Sequence, residues 1–401
     1  MTERLYYNDS FLHQFEARVV VWHGATVTLD RSAFYPTSGG QIFDTGWLEL
    51  DGSRVRVKEV TENEQTGEVL HTLESDAYTL QPGSVVRGII DPERRLDHMQ
   101  QHTGQHVLSA AFEKLDGLAT VSFHMGEESC TIDLSNPSVN AQQLEAAEQL
   151  ANQVIAEDRP VAIRFATPDE ARTLGVRKIP AAERDQLRLI DVHDFDLNAC
   201  GGTHVHSTGQ IGCVLLRKTE KVKQGVRVEF VCGLRAVRTA RRDFQTLTDA
   251  AGIFSTHIWE VPQQVRKSLE EIKTAQKAQH RLLEEVAELQ AQQMLQSALD
   301  RGAYKIVVQF FPERDLNFIK MLAQKLTKIG TAVALLGCGG SQPSLVFAQT
   351  SGLSNNMGAL MKDTVQRLGT RGGGNRDMAQ GGAPDAARAE EALRQAVKDL
   401  G

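Results

Sequence analysis

Two short segments of this 401-residue chain carry side chains suited to holding a metal ion. His102-Thr103-Gly104-Gln105-His106 sets two imidazoles four residues apart. On a helix that spacing puts both on one face, where a single ion can meet them. The glutamate of His-Glu-x-x-His metalloprotease helices is absent, so that pattern and its general base are not met. His98 extends the row, but it lies two turns from His106, some ~12 Å by helix rise, too far to share the ion. Cys200-Gly201-Gly202-Thr203-His204 adds a thiolate and an imidazole on a glycine turn, where both side chains can face one centre. Together His102, His106, Cys200 and His204 form the tetrahedral N/S set that zinc favours. Either segment alone is weak evidence, because a surface helix explains most isolated His-x-x-x-His pairs. Both in one chain argue for one zinc ion. Four protein ligands suit a closed structural site, whereas catalysis wants an exchangeable position, and the spacing leaves both open.

The elements around these segments read as an α+β multidomain chain. Residues 1–90 hold short strands, Val19–Trp22, Thr26–Leu29, Trp47–Leu50, Val55–Lys58 and Val85–Ile90, punctuated by turn residues such as Asp51-Gly52, which predicts a small β-barrel. Asp91-Pro92-Glu93 is a helix start, with a capping aspartate, proline at the first position and an acid in the first turn. It predicts a helix over 92–115 that carries both zinc histidines. A second helix is expected over 141–157, with strands at 161–165, 187–192, 212–218 and 226–232, so that 91–255 forms an α+β domain with the zinc site. Residues 256–300 are rich in Gln, Glu, Ala, Lys and Leu. Their broken apolar stripe, Val265, Leu269, Ile272, Leu283, Val286 and Leu289, predicts a long helix or an antiparallel helical hairpin as linker. Residues 301–401 read as an α/β domain. Its strands at 306–311, 332–336 and 344–348 are continuously apolar, as in a sheet buried on both faces. Its helices fall at 316–329, 356–368 and 386–400. Between the last two lies a glycine-rich stretch, residues 369–382, whose composition alone reads as a flexible linker.

Composition excludes several classes. Apolar residues make up 41% and charged residues 24%, which argues against global disorder. No apolar run approaches the roughly 20 residues that span a bilayer, and the N-terminus lacks a signal-peptide pattern. Five scattered cysteines suit a reducing compartment, and a cytoplasmic location is expected. The net charge of −7 does not favour nucleic acid, yet residues 217–243 carry nine cations against three acids. That segment is either a solvated face or a phosphate-contacting patch.

The motifs together resemble the editing domain shared by alanyl-tRNA synthetase, threonyl-tRNA synthetase and the stand-alone alanyl-tRNA editing proteins called AlaX. The likeness extends beyond the paired metal motifs. Phe34-Tyr35-Pro36-Thr37-Ser38-Gly39-Gly40-Gln41, followed by Asp44-Thr45-Gly46, is similar to the glycine-rich motif of the alanyl branch, with Ile42 where the family usually has proline. Ser122–Gly126 and Thr131–Leu134 look like the family segment lining the site. The final hundred residues resemble the C-terminal domain of alanyl-tRNA synthetase, related to the DHH-associated domain.

That resemblance implies an editor acting in trans, since a barrel beginning at residue 1 leaves no room upstream for an aminoacylation module. It implies zinc-dependent hydrolysis of the ester joining serine, and secondarily glycine, to tRNA specific for alanine, with the alanyl ester spared. His102, His106, Cys200 and His204 would bind zinc. Thr103 would orient water or read the serine hydroxyl, unless it merely bonds its own helix. Gln41 with Gly39 and Gly40 would close the pocket, and His124 would assist unless it is a core histidine. Arg217, Lys218, Lys221, Lys223 and Arg227 would hold phosphates, and Arg371 and Arg376 would approach the RNA from the glycine-rich stretch. A homodimer through the C-terminal region is also implied. Rival readings are a threonyl-type editor, a zinc-stabilised RNA-binding module without catalysis, and a DHH-type phosphoesterase. The last lacks its Asp-His-His signature here.

Overall fold

A computed structural model describes residues 1–75, 81–177, 185–223, 225–340 and 342–400. The chain divides into two compact units, Met1–Asp249 and Ala250–Gly401.

The first unit opens with the expected barrel. Its strands are β1 (Gln14–His23), β2 (Thr26–Leu29), β3 (Gly46–Leu50), β4 (Ser53–Asn63), β5 (Glu68–Leu73) and β6 (Val85–Ile90). They close in the order β1-β2-β5-β4-β3-β6. Alternation drives the closure. In β1, Phe15, Ala17 and Val19 point inward while their neighbours face water. They meet Val27, Leu29, Leu48, Val57, Val60, Val69 and Val86 in one apolar core. His71 is buried in that barrel, held by Ser32 Oγ and the Val27 carbonyl, and burial pushes its pKa down to about 4.

Helix α1 runs from Pro92 to Asp116. Asp91 caps it by accepting from Arg94 N, and Gly117 ends it at φ 66°. From His98 to Phe112 every residue is buried, because apolar layers cover the helix all round. One layer is the sheet β12 (Val214–Val222), β13 (Gly225–Cys232), β8 (Cys130–Leu134) and β7 (Thr120–Met125), in that order. Another is α2 (Ala141–Ala156), which contributes Ala147, Ala151, Val154 and Ile155 to the same core as Met99, Leu108 and Phe112. A second antiparallel sheet, β9 (Val161–Ala166), β10 (Leu187–Val192) and β11 (Asp196–Ala199), delivers the chain to Cys200. A basic helix, α3 (Gly233–Ile253), follows β13.

Barrel and α1 are joined by a buried ion pair. Arg95 grips Asp44, and its other nitrogens donate to the carbonyls of Ser10 and Ala33. Asp44 also accepts from Tyr35 N at 2.7 Å. An unpaired buried charge is very costly, so removing either partner would be strongly destabilising. The effect is positional, because the loop from Phe34 to Gln41 is pinned onto the helix that bears the histidines.

The second unit begins with one continuous helix, α4 (Val261–Gln296), so the linker is a single long helix and not a hairpin. Its sheet runs β14 (Leu299–Asp300), β15 (Lys305–Phe311), β16 (Ala332–Cys338), β17 (Ser344–Gln349), β19 (Met378–Gly382) and β18 (Gly372–Gly374). Strands β16 and β17 are buried throughout, as their apolar runs predict, whereas β15 is partly exposed. Helix α5 (Leu316–Ile329) covers one face with Phe318, Ile319 and Leu322. Helices α6 (Met357–Leu368) and α7 (Ala386–Asp399) cover the other. The glycine-rich stretch is not a linker. Gly372–Gly374 pairs with Ala379–Gly381 as an antiparallel hairpin, because backbone pairing satisfies it where side chains are lacking.

Candidate active site

The four residues singled out by spacing come together. The potential ligand atoms of His102, His106, Cys200 and His204 all lie within 4.8 Å of one another. Cys200 Sγ is 3.4 Å from His102 Nε2 and 3.3 Å from His204 Nε2. His98 stays apart, facing Asp44 at 3.9 Å.

Each imidazole has its second nitrogen engaged. His102 Nδ1 donates to Gln41 Oε1 at 2.7 Å. His204 Nδ1 meets Thr103 Oγ1 at 3.1 Å, and His106 Nδ1 meets Asp196 Oδ2 at 3.2 Å. With Nδ1–H committed to an acceptor, Nε2 offers its lone pair to the common centre, the outer-shell arrangement that fixes ring orientation in metal sites. Three neutral nitrogens and one thiolate converging in this way fit a zinc ion. The electrostatics agree at Cys200 and His204, and His106 departs from them. Burial would push the Cys200 thiol up, yet His102 and His204 hold it well below the usual range. Burial would lower His106, but Asp196 and Cys200 raise it to about 9. Burial pushes His204 down to about 3.

Gln41 is completely buried, and two further bonds hold it: its Nε2 donates to Thr203 Oγ1, and its Oε1 accepts from Thr203 N. Its place depends on Gly40, at φ 83°, where a Cβ would lie 2.3 Å from the Phe123 carbonyl. Across the site, a Cβ on Gly202 would sit 2.1 Å from His102 Cε1. Only glycine lets the Cys200–His204 turn close on the helix. Phe123 packs its ring 5.3 Å from His102. Thr103 reaches outward from α1, accepting from Val205 N as well as facing His204.

Other expected residues are not brought to this centre. His124 is exposed, on the strand face opposite Phe123, so it is no core histidine. The basic segment is partly neutralised: Arg217 pairs with Asp243, Lys218 with Glu220 and Glu229, and Arg227 with Asp133. Lys221 and Lys223 are exposed without an ion pair among the described residues. Arg371 and Arg376 are exposed at the glycine-rich hairpin of the second unit, where Arg376 donates to the carbonyls of Leu353 and Asn355. Three participants escaped the sequence reading. Asp196 and Thr203 have no motif of their own, and Arg188 looks like any strand residue. Arg188 is 7% exposed and donates through Nη1 to the carbonyls of Cys200 and Gly202.

Comparison with known proteins places this site in a class. Residues 5–94 match the family model of class II (A) tRNA synthetases, and residues 187–228 match the threonyl and alanyl tRNA synthetase second additional domain. The chain is 30% identical to the alanyl-tRNA editing protein AlaX-L of Pyrococcus horikoshii, covering 100% of this chain and 98% of that one. It belongs to this family of alanyl-tRNA editing proteins. It is also 32% identical to the alanine–tRNA ligase of Pyrococcus abyssi, of which it spans 44%. A solved structure, the C-Ala domain from the Aquifex aeolicus alanyl-tRNA synthetase, covers 26% of this chain at 22% identity and a TM-score of 0.23. Among the described residues no helix is long and apolar enough to cross a membrane.

Proposed function

We propose that the chain is a zinc-dependent hydrolase that removes serine, and to a lesser degree glycine, from tRNA specific for alanine while sparing the alanyl ester. The observation that carries this is the convergence of three Nε2 atoms and one Sγ, with every Nδ1 held by a separate acceptor. In an editor of this family, that donor set is where the ester would be presented. Zinc held by His102, His106, Cys200 and His204 would supply a Lewis acid for water or carbonyl, or a holder for the substrate's amino group. The chain's own residues set the rest. Gln41, Thr103 and Asp196 keep the three rings in one tautomer. Phe123 and the turn at Gly40 exclude water beside His102. An aminoacylating site rejects an added hydroxyl poorly, which is why a second hydrolytic site is useful. Lys221 and Lys223, with Arg371 and Arg376, are proposed phosphate contacts. A homodimer through the C-terminal unit and a division into barrel, editing, helical and C-terminal domains belong to the same reading.

Hydrolysis of seryl- and alanyl-tRNA, both on alanine tRNA, by protein of known zinc content tests it. Loss of serine with alanine retained is expected. Fully loaded protein that cleaves neither ester would overturn it in favour of a zinc-stabilised RNA-binding module.

A further inference from the structure

The four cluster residues are unequally covered. His102, His106 and His204 are 2–3% exposed, while Cys200 and the following Gly201 are partly open. A substrate therefore meets the centre from the Cys200–Gly201 side. One side chain overhangs that side. A Cβ on Gly201 would lie 3.3 Å from the Tyr7 hydroxyl, and its three nearest atoms all belong to Tyr7.

Tyr7 is fixed with unusual care for a half-buried residue near a chain end. The Arg188 guanidinium lies 5.4 Å from its ring centroid, and so does that of Arg4. Arg188 Nε donates to the Tyr7 carbonyl at 2.9 Å. Arg4 Nη1 donates to the Tyr7 hydroxyl at 2.8 Å and is itself tied to Glu62. Arg188 has no carboxylate at ion-pair distance among the described residues, which is costly for a buried cation. It offsets that cost by bonding three carbonyls, those of Tyr7, Cys200 and Gly202. One guanidinium thus couples the N-terminal segment to the metal-ligand turn. The Tyr7 oxygen accepts from Arg4, while its proton is donated to no described residue. A hydroxyl so placed is a free donor at the mouth of the site.

We propose that Tyr7 is a substrate-contact residue, donating its phenolic proton to an oxygen of the aminoacyl ester or of the ribose bearing it, and that Arg188 is its positioning residue. This rests on the hydrolase reading above. A purely structural Tyr7 would act through its ring, as a strut against Arg188, and its hydroxyl would be dispensable.

Tyr7→Phe separates the two, since it keeps the ring under both guanidinium groups and removes only the hydroxyl with its bond from Arg4. The probe is serine joined by an amide to 3′-amino-3′-deoxyadenosine, which binds without being cleaved. Tyr7→Phe should bind it about tenfold more weakly than the wild-type chain, with zinc content and Tm unchanged. Arg188→Lys, which keeps the charge and loses the forked grip, should also weaken it. Equal affinity of wild type and Tyr7→Phe overturns the inference, as does failure of the zinc-loaded wild type to bind the probe. Wild type that binds the probe through Tyr7 yet hydrolyses no aminoacyl ester would overturn the hydrolase reading and leave the contact standing.

Discussion

The Cys200 centre and the basic segment 217–243 were the two chemical signals in the sequence, and they behave in opposite ways. At the centre, polar groups 61 to 162 residues apart in the chain find one another: Gln41 with His102, Thr103 with His204, Gln41 with Thr203. The bonds to His102 and His204 leave each ring's other nitrogen facing Cys200 Sγ. In the basic segment, Arg217, Lys218, Arg227, Arg235 and Arg242 are each met by a carboxylate. Arg227 and Asp133 face each other across β13 and β8, and Arg217 reaches Asp243. Spacing of metal donors is a geometric constraint that few other structures satisfy. A run of cations is only a sum, and local pairing can cancel it.

The contrast can be broken most decisively at the thiolate. Cys200→Ala removes the one anionic donor and should abolish zinc retention and hydrolysis together, read by metal analysis and deacylation of seryl-tRNA. A variant that still holds zinc with wild-type affinity would show that the three histidines suffice and that Cys200 serves another purpose. The outer partners come next. Gln41→Ala frees His102 Nδ1, and Asp196→Asn weakens the acceptor for His106 Nδ1. Each should lower zinc affinity or activity about 10- to 100-fold in a chelator competition. Asp196 carries an added expectation, because Arg177 shares its carboxylate at 2.9 Å and loses that ion pair in the same variant. Arg177→Met should therefore produce a smaller loss than Asp196→Asn.

How much of this could be read beforehand follows from the same contrast. Helix α1 was legible to within a residue, since Asp91-Pro92 caps it and Gly117 ends it locally. So were β10 and α5, which match their apolar runs. The clustering of His102, His106, Cys200 and His204 was legible because each pair lies within five residues and its geometry is local. Asp196 and Arg188 were not, because their roles arise only when β10 and β11 bring them beside the turn. The glycine-rich stretch misled for a related reason. Gly372–Gly374 carries no side-chain pattern, and its strand character comes from the edge that β19 offers. The core alternative for His124 fails by one step of a period-two strand, since Phe123 takes the position facing His102.

The smallest expected effects decide what remains of the basic segment. Arg227 is committed to Asp133 on a partly exposed face, so Arg227→Ala should cost less than about 1 kcal/mol of stability. It should also leave RNA affinity nearly unchanged, because the pair is already neutral as a unit. Lys221 and Lys223 lie two residues apart near the β12–β13 turn and keep their charge for a partner. If they touch phosphate, each replacement by alanine should weaken binding of alanine tRNA several-fold at low salt. The slope of log affinity against log salt should shrink by about one per lysine. Equal slopes for Lys221→Ala, Lys223→Ala and wild type would place the RNA elsewhere, and the positive sum of this segment would then be a solvated face after all. A steeper loss for Arg227→Ala than for either lysine would mean that the Asp133 pair opens on binding, with the phosphate displacing the carboxylate.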